Sequence, residues 1–244
     1  MGAPLAGVRV LDLSRVLAGP YCAMALADMG ADIVKVENPK GGDITRAWGP
    51  PWAGDEATYY MTANRGKRSI AIDLRQPEGV ALFEDLGKAS DVVVEAMRPG
   101  GLARRGLGYD RLKELNPKIV FCTISGYGAT GPYRDLASHG IAYDAWAGIF
   151  EPEIDDHGHP SIPNHVSIGI NAAPLFGGLG ILAAVIRARE TGTGCAMEIA
   201  QSDAAAAFDW YRSESFKAYE RPESEVTGNA ADGYARRAPA IAGM

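Results

Sequence analysis

The sequence predicts an α/β fold in which an open parallel sheet carries helices on both faces. Two observations lead to this prediction. Short apolar segments with strand patterning alternate along the chain with longer segments of helical periodicity, and the chain begins with a complete βαβ unit at residues 5–37. A βαβ crossover joins parallel strands, and ligands of open parallel sheets bind at the carboxyl ends of those strands. The turn at residues 14–19 is therefore the first place to look for a ligand.

The opening unit can be justified from its residues. Residues 8–13 alternate apolar and polar side chains, as a strand does. Pro20 suits the first turn of a helix, which continues to Met29, and Gly30 supplies its stop. Residues 32–37 then form the second strand.

The rest of the chain continues the alternation. Further strands are predicted at residues 69–74, 91–95, 119–124 and 195–200, and further helices at residues 58–64, from Pro77 onward, and at 110–115, 141–150, 171–190 and 202–218. The helix at Pro77 is expected to turn Val80, Leu82, Phe83 and Leu86 inward, and Asp110 is expected to cap the next helix. Residues 44–55 are predicted to be irregular, and residues 125–138 to form a long loop.

The chain is expected to consist of one large domain followed by a tail. Residues 1–218 are predicted to form one large domain. The tail at residues 219–244 has no clear periodicity and is rich in Glu, Arg, Pro, Gly and Ala, so it is expected to be a linker or a truncated C-terminal extension.

Composition narrows the classes of function. With 244 residues and 47% hydrophobic content, the chain can bury a full core. A net charge of −6 argues against a nucleic-acid or anionic-membrane surface, although a local basic pocket can still hold an anionic cofactor. No signal peptide is recognised, and the most apolar run, residues 172–186, is shorter than the roughly 20 residues of a membrane span, which predicts a cytoplasmic location. Cys22, Cys122 and Cys195 have no CxxC spacing and are expected to be reduced thiols, and no metal site is predicted.

A basic turn precedes the third predicted strand. Arg65, Lys67 and Arg68 gather there in an otherwise acidic protein. The turn is either a solvated connection or an anion site, and the residues alone leave both interpretations open.

A series of short motifs resembles CoA-transferase family III, the CaiB/BaiF group that includes formyl-CoA and carnitine CoA-transferases and the α-methylacyl-CoA racemases. The motifs occur in the family's order between residues 5 and 203, and they are LAGVRVLD at 5–12, AGP at 18–20, GAD at 30–32, KVE at 35–37, GD at 42–43, NRGKRS at 64–69, RPG at 98–100, GLGY at 106–109, NP at 116–117 and GPY at 131–133. The resemblance implies a Rossmann-like large domain, with coenzyme A or an acyl-CoA and a carboxylic acid as substrates. Family members are longer, carry a second domain and form interlocked dimers. The resemblance therefore implies a homo-oligomer, or a hetero-oligomer with a family III paralogue, although this chain stops where the linker to the second domain would begin.

The same resemblance implies a set of CoA-binding positions. They are Val16, Leu17 and Ala18 in the first turn, Asn38, the basic pair Lys67 and Arg68, Ala96 and Met97, and Arg104. The sequence departs from the family pattern at two of these sites. Asn38 stands where a cation is common, and Ala96 with Met97 replaces an amide and an aromatic side chain. Without the resemblance, Val16 would be a core valine and Arg104 a solvated cation.

The third departure concerns the chemistry. Family III transfer uses an aspartate that attacks the thioester and then holds CoA as an aspartyl thioester. An ungapped match places Ile170 at that position, between Gly169 and Asn171. Ile170 has no nucleophilic group, and the neutral amide of Asn171 is expected to cap the helix.

Other polar residues offer alternatives. His139 resembles the histidine with which the racemases move a proton at the α-carbon, because a His pKa near neutrality suits proton transfer. It can equally be a loop histidine. The acids and histidines at residues 151–159 are expected to be solvated, and Asp144 is expected to cap a helix.

Three functions follow from these observations. The first is CoA transfer between an acyl-CoA and a carboxylic acid, with this chain as the subunit that lacks the nucleophile or with a relocated carboxylate. The second is an α-methylacyl-CoA racemase that uses His139. The third is a CoA-binding or structural subunit without catalysis of its own.

Overall fold

The computed structural model describes residues 2–137, 139–150, 153–162, 164 and 166–209. Ser138 and Glu151, the predicted domain end at residue 218 and the predicted extension at residues 219–244 lie outside the described residues.

Strands and helices alternate along these residues. The strands are β1 Arg9–Asp12, β2 Asp32–Glu37, β3 Trp52–Ala53, β4 Glu56–Ala57, β5 Lys67–Ala71, β6 Val92–Glu95, β7 Val120–Ser125, β8 Glu153–Ile154, β9 Pro160–Ser161 and β10 Cys195–Ala200. The α-helices are α1 Ala18–Asp28, α2 Thr58–Asn64, α3 Pro77–Lys88, α4 Tyr109–Leu115, α5 Gly140–Trp146, α6 Gly169–Thr191 and α7 Gln201–Phe208. The βαβ start and the alternation predicted from the sequence are both present.

Six of the strands form one parallel sheet in the order β10-β7-β6-β1-β2-β5. Strand β1 lies in the interior of the sheet, where Asp12 is opposite Lys35 of β2 and Val10 is opposite Val92 of β6. The α/β class with an open parallel sheet is therefore confirmed. The loops that follow β1, β2, β5 and β6 meet at one edge of the sheet, which is the edge where ligands of such sheets bind.

The core has two layers, one on each face of the sheet. Helices α1 and α6 cover one face with residues such as Cys22, Leu26 and Ile181. Helices α3 and α4 cover the other with Phe83 and Leu112. The short valine run of β6 is fully buried between the two layers, as expected of a strand covered on both faces.

Helix α6 is long and apolar, and it packs against the sheet. Its 23 residues meet the length and composition of a membrane span, with a mean hydropathy of 1.8, but half of the apolar window is buried inside the structure. Gly177 faces the thiol of Cys22, and a side chain at this glycine would lie 3.3 Å from that sulfur. A small residue is needed here because the helix backbone approaches α1 closely.

Several sequence predictions are wrong in detail. Leu82 is 43% exposed, because it precedes the buried Phe83 by one position, about 100° around the helix, and cannot share its face. Gly108, not Asp110, precedes the first residue of α4, and Asp110 binds Lys113 at 2.6 Å instead. Strand β5 begins at Lys67 rather than at residue 69.

Two connecting segments also differ from their predicted form. Residues 44–55 are not wholly irregular, since Ile44–Ala47 forms a 3-10 helix and β3 pairs with β4 as a small hairpin. Helix α5 ends at Trp146, because Gly148 takes a positive φ of 72° and turns the chain away.

Candidate functional site

A cavity of about 480 Å³ opens at the carboxyl edge of the sheet. It is lined by the segments that follow four strands: Leu13, Ser14 and Arg15 after β1, Val36 to Asn38 and Asp43 from the end of β2 onward, Ile72 to Arg75 after β5, and Met97, Arg98, Gly101, Arg104 and Arg105 after β6. A volume of this size suits a small organic ligand.

The cavity is rich in arginine. Arg104 and Arg105 donate to the carbonyl oxygens of Pro99 and Gly101 at 3.0 and 2.8 Å, and Arg75 is paired with Asp73. Within the described part of the chain, neither the Arg15 nor the Arg98 guanidinium group has a hydrogen bond or ion pair. Guanidinium groups recognise phosphate oxygens through paired N–H donors, so the cavity can bind a phosphorylated ligand.

The acidic groups on the cavity wall are already engaged. Glu37 accepts hydrogen bonds from the Nε and Nη2 groups of Arg46, at 2.9 and 2.7 Å, and from Ser69 at 2.8 Å. Burial raises the pKa of Glu37, but these donors and the Asp43 N–H outweigh it and hold the pKa at about 2. Asp43 lies 3.1 Å from the ammonium group of Lys35. The arginines therefore face little uncompensated negative charge.

Three of the predicted CoA positions lie on the cavity wall: Asn38, Met97 and Arg104. The N–H of Met97 donates to the carboxylate of Glu95 at 2.7 Å, which fixes the start of the turn after β6. Burial raises the pKa of this Glu95 carboxyl group. Ala96 lies outside the cavity lining and packs against the core layer under α1.

The first turn contributes to the cavity through Ser14 and Arg15 rather than through the predicted Val16, Leu17 and Ala18. Val16 has a left-handed φ of 69°, and its N–H points to the carboxylate of Asp43 at 3.3 Å. Leu17 precedes α1, and Ala18 is the buried first residue of that helix. The backbone of the turn thus faces an internal anion.

The structure places Lys67 and Arg68 away from the cavity lining. The ammonium group of Lys67 is buried and binds Asp12 at 2.8 Å. Arg68 is exposed and pairs with Asp32 at 2.7 Å, and Arg65 pairs with Asp28. Each cation of the basic turn has a carboxylate partner, so the turn is not an open anion site.

The expected nucleophile position lies in the first turn of α6. Gly169 is buried, and the side chain of Ile170 packs against Gly140 of α5, where an added Cβ would lie 3.4 Å from it. Asn171 does not cap the helix as predicted, because α6 begins two residues earlier. Its amide instead donates to the carbonyl oxygen of Ser167 at 2.7 Å.

Asp144 supplies the cap from the neighbouring helix α5. Its two carboxylate oxygens accept the N–H groups of Gly169 at 2.7 Å and Ile168 at 2.8 Å. The predicted capping role of Asp144 is confirmed. Its carboxylate is fully buried and already engaged with the start of α6, so it is not placed to attack a ligand.

His139 is exposed and immediately precedes α5. Its neighbour Gly140 contacts Ile170, so His139 lies near the expected nucleophile position.

In the polar loop, the carboxylate of Asp155 accepts the N–H groups of His157 and His159 at 2.8 Å. Across the described residues, no group of three or more potential ligand side chains is arranged for a metal ion.

Sequence reasoning missed several residues of the site. Arg15 lies in the turn where a ligand was expected, Arg98 was assigned only to a turn, and Arg75 and Arg105 were assigned no role, yet all four line the cavity. A usable signal was present for Arg15, Arg75 and Arg98, because each comes shortly after the carboxyl end of a predicted strand. Lys35 was also missed, although a lysine inside an otherwise apolar strand indicates a buried charge with a partner.

Comparison with known proteins identifies the family of this chain. The family model for CoA-transferase family III matches residues 5–238. The succinate–glutarate CoA-transferase of Agrobacterium fabrum is 44% identical over 210 residues, covering 82% of this chain and 51% of that protein. The succinyl-CoA–L-malate CoA-transferase beta subunit of Chloroflexus aurantiacus is 39% identical over 191 residues, covering 78% of this chain and 47% of that protein.

A solved structure extends the comparison to the fold. The crystal structure of a CaiB/BaiF family protein from Brucella suis matches with a TM-score of 0.82 and 35% identity, covering 91% of this chain and 59% of that one. The chain spans about half the length of the curated relatives it matches. The family match, the shared fold and the motif order together show that this chain belongs to CoA-transferase family III.

Proposed function

We propose that this chain binds a CoA thioester in the arginine-lined cavity and takes part in CoA transfer between an acyl-CoA and a carboxylic acid. The observation that carries the proposal is the presence of two unpaired guanidinium groups, Arg15 and Arg98, in a cavity of about 480 Å³ at the carboxyl edge of the sheet. CoA carries phosphate groups that such donors recognise.

The acyl group is proposed to be that of a short dicarboxylic acid. The relatives are named for succinate, glutarate and L-malate. A dicarboxylate keeps one free carboxylate when the other forms the thioester, so a cation near the cavity favours it over a monocarboxylate. The reaction is proposed to take place in the cytoplasm.

The chain is proposed to act as the non-nucleophilic subunit of a hetero-oligomer. Ile170 is an apolar side chain packed on Gly140, and the adjacent Asp144 is buried as a helix cap. Neither can form the acyl anhydride that transfer requires. The beta-subunit name of the Chloroflexus relative supports a two-subunit arrangement, in which a paralogue with a Gly-Asp pair supplies the carboxylate.

Acyl exchange between succinyl-CoA and glutarate, followed by chromatography, tests this function. We expect no exchange by the isolated chain and exchange once a paralogue with the aspartate is co-expressed. An Ile170→Asp variant is expected to form a hydroxylamine-sensitive adduct, since the new carboxylate stands where the family places its nucleophile. Exchange by the isolated wild-type chain would refute the subunit role.

Two further measurements would favour the racemase or the non-catalytic subunit instead. Deuterium incorporation at the α-carbon of a 2-methylacyl-CoA, lost in His139→Ala, would favour the racemase. CoA binding without exchange beside any paralogue would favour a non-catalytic CoA-binding subunit.

A further inference from the structure

Val16 has an unusual backbone conformation. Among the described residues it is the one non-glycine with a positive φ, at 69°. The left-handed region is unfavourable for a β-branched side chain, and such residues persist only where their surroundings impose the conformation. Something in the structure must therefore hold this turn.

Buried charged side chains hold it at successive backbone groups. The N–H of Ser14 donates to the carboxylate of Asp12 at 2.9 Å. The carbonyl oxygen of Ser14 accepts a hydrogen bond from the ammonium group of Lys35 at 2.8 Å. The N–H of Val16 points to both oxygens of Asp43, at 3.4 and 3.3 Å. Asp12, Lys35 and Asp43 are each at most 1% exposed.

These side chains form a buried charge cluster of Asp12, Lys35, Asp43 and Lys67. Lys35 lies 3.1 Å from Asp43 and 3.9 Å from Asp12, and Lys67 lies 2.8 Å from Asp12. Lys67 also donates to the carbonyl oxygen of Pro20 at 2.8 Å, so the cluster reaches the first turn of α1. Two cations balance two anions, and removal of one leaves a buried charge uncompensated.

The position of Asp43 is itself fixed. Its Oδ1 accepts the N–H and the hydroxyl of Thr45 at 3.1 and 2.9 Å, and its own N–H donates to Glu37 at 2.8 Å. Asp43 therefore has little freedom to follow the turn, and the turn must conform to Asp43.

The turn in question carries Arg15 into the cavity wall. Arg15 lies between Ser14, held by Asp12 and Lys35, and Val16, held by Asp43. These two neighbours fix the backbone on both sides of Arg15 and so set the direction of its side chain. A backbone rotation at Val16 would move the whole turn, and Arg15 with it.

We propose that Lys35 and Asp43 are positioning residues, which impose the left-handed conformation of Val16 and thereby hold Arg15 in the cavity to meet a phosphate group of the CoA thioester. The part concerning CoA rests on the proposed function. A purely structural role for the cluster would stabilise the fold without coupling to Val16.

A double-mutant cycle between Asp43→Asn and Val16→Gly separates the two roles. Asn keeps the shape of Asp43 and removes its charge. We expect Asp43→Asn to weaken CoA binding about tenfold when Val16 is present, measured by isothermal titration calorimetry. In the Val16→Gly background the same change is expected to cost about twofold or less, because glycine adopts a positive φ without being held.

An equal effect of Asp43→Asn in both backgrounds would overturn the positioning role while leaving the proposed function intact. Absence of CoA binding by the wild type would instead refute the proposed function. If Asp43→Asn does not fold, Thr45→Val provides a milder change that frees the same carboxylate, and it is expected to show the same dependence on Val16.

Amide hydrogen exchange tests the turn without CoA. We expect the Val16 N–H to be protected in the wild type and to lose most of that protection in Asp43→Asn. Unchanged protection would overturn the proposal.

Discussion

Glu37 shows at the scale of one residue how strongly a partly buried carboxylate can be held in its charged form. Burial acts to raise its pKa, but hydrogen bonds from Arg46, the Asp43 N–H and Ser69 outweigh burial and hold the pKa at about 2. The pKa in the unfolded chain is higher, about 4.3. The carboxylate therefore stabilises the fold fully above about pH 5 and loses this contribution as the pH falls toward 2.

We expect Glu37→Gln to be less stable than the wild type at neutral pH and to show a shallower loss of stability between about pH 5 and 3, because the titrating group is gone. Urea unfolding at several pH values measures both quantities. The exposed Glu190→Gln is the matched control and should keep the wild-type pH dependence. A Glu37→Gln variant as acid-sensitive as the wild type would contradict the assignment.

Individual residues were only partly predictable. Met97 and Arg104, two positions taken from the motif order, do line the cavity. The left-handed Val16 was not foreseen, since its conformation is imposed by Asp43, which is 27 positions away. Lys67 and Arg68 were assigned to CoA, but their side chains turn to Asp12 and Asp32, a choice that depends on tertiary neighbours.

At the scale of elements, helices α3 and α6 each contain a glycine, and the surroundings of the two glycines are opposite. Gly79 in α3 lies against the backbone of Asp73, and a Cβ there would overlap the carbonyl oxygen of Asp73. Gly178 in α6 has no atom within 4 Å of the same position. The close approach in α3 matters to the site because Asp73 and Arg75 form part of the cavity wall.

We expect Gly178→Ala to raise the free energy of unfolding by about 0.5–1 kcal/mol, the gain in helix propensity. Gly79→Ala is expected to lower it by about 1–3 kcal/mol, because the overlap exceeds the same gain. Urea denaturation compares the two. A stabilised Gly79→Ala would show that the loop at residues 72–75 yields freely and would contradict the expectation.

Elements were predicted more securely than residues. Strands β2 and β10 have the predicted bounds, and α6 differs by a few residues, because each has a strong apolar pattern. The 3-10 helix at residues 44–47 and the two short hairpins were missed. Each has too few residues for periodicity to show.

The whole molecule has a net charge of −6, yet its cavity is lined by five arginines. We expect Arg98→Met to weaken CoA binding about tenfold, because an unpaired guanidinium group is lost. Arg189→Met, which removes the same charge from the exposed end of α6, is expected to stay within about twofold of the wild type. Calorimetric titration at about 0.05 and 0.5 M NaCl should also show weaker binding at the higher salt concentration. Equal affinities for the two variants would place the phosphate groups elsewhere.

The central place of β1 has a consequence for the order of folding. This strand is synthesised before every other strand of the sheet and pairs with β2, only some twenty positions later in the chain. The partner on its other side, β6, follows after residue 91. Among the described residues, the topology therefore favours a sheet that starts from its middle and adds strands outward in both directions as the chain is made, toward β5 on one side and β10 on the other.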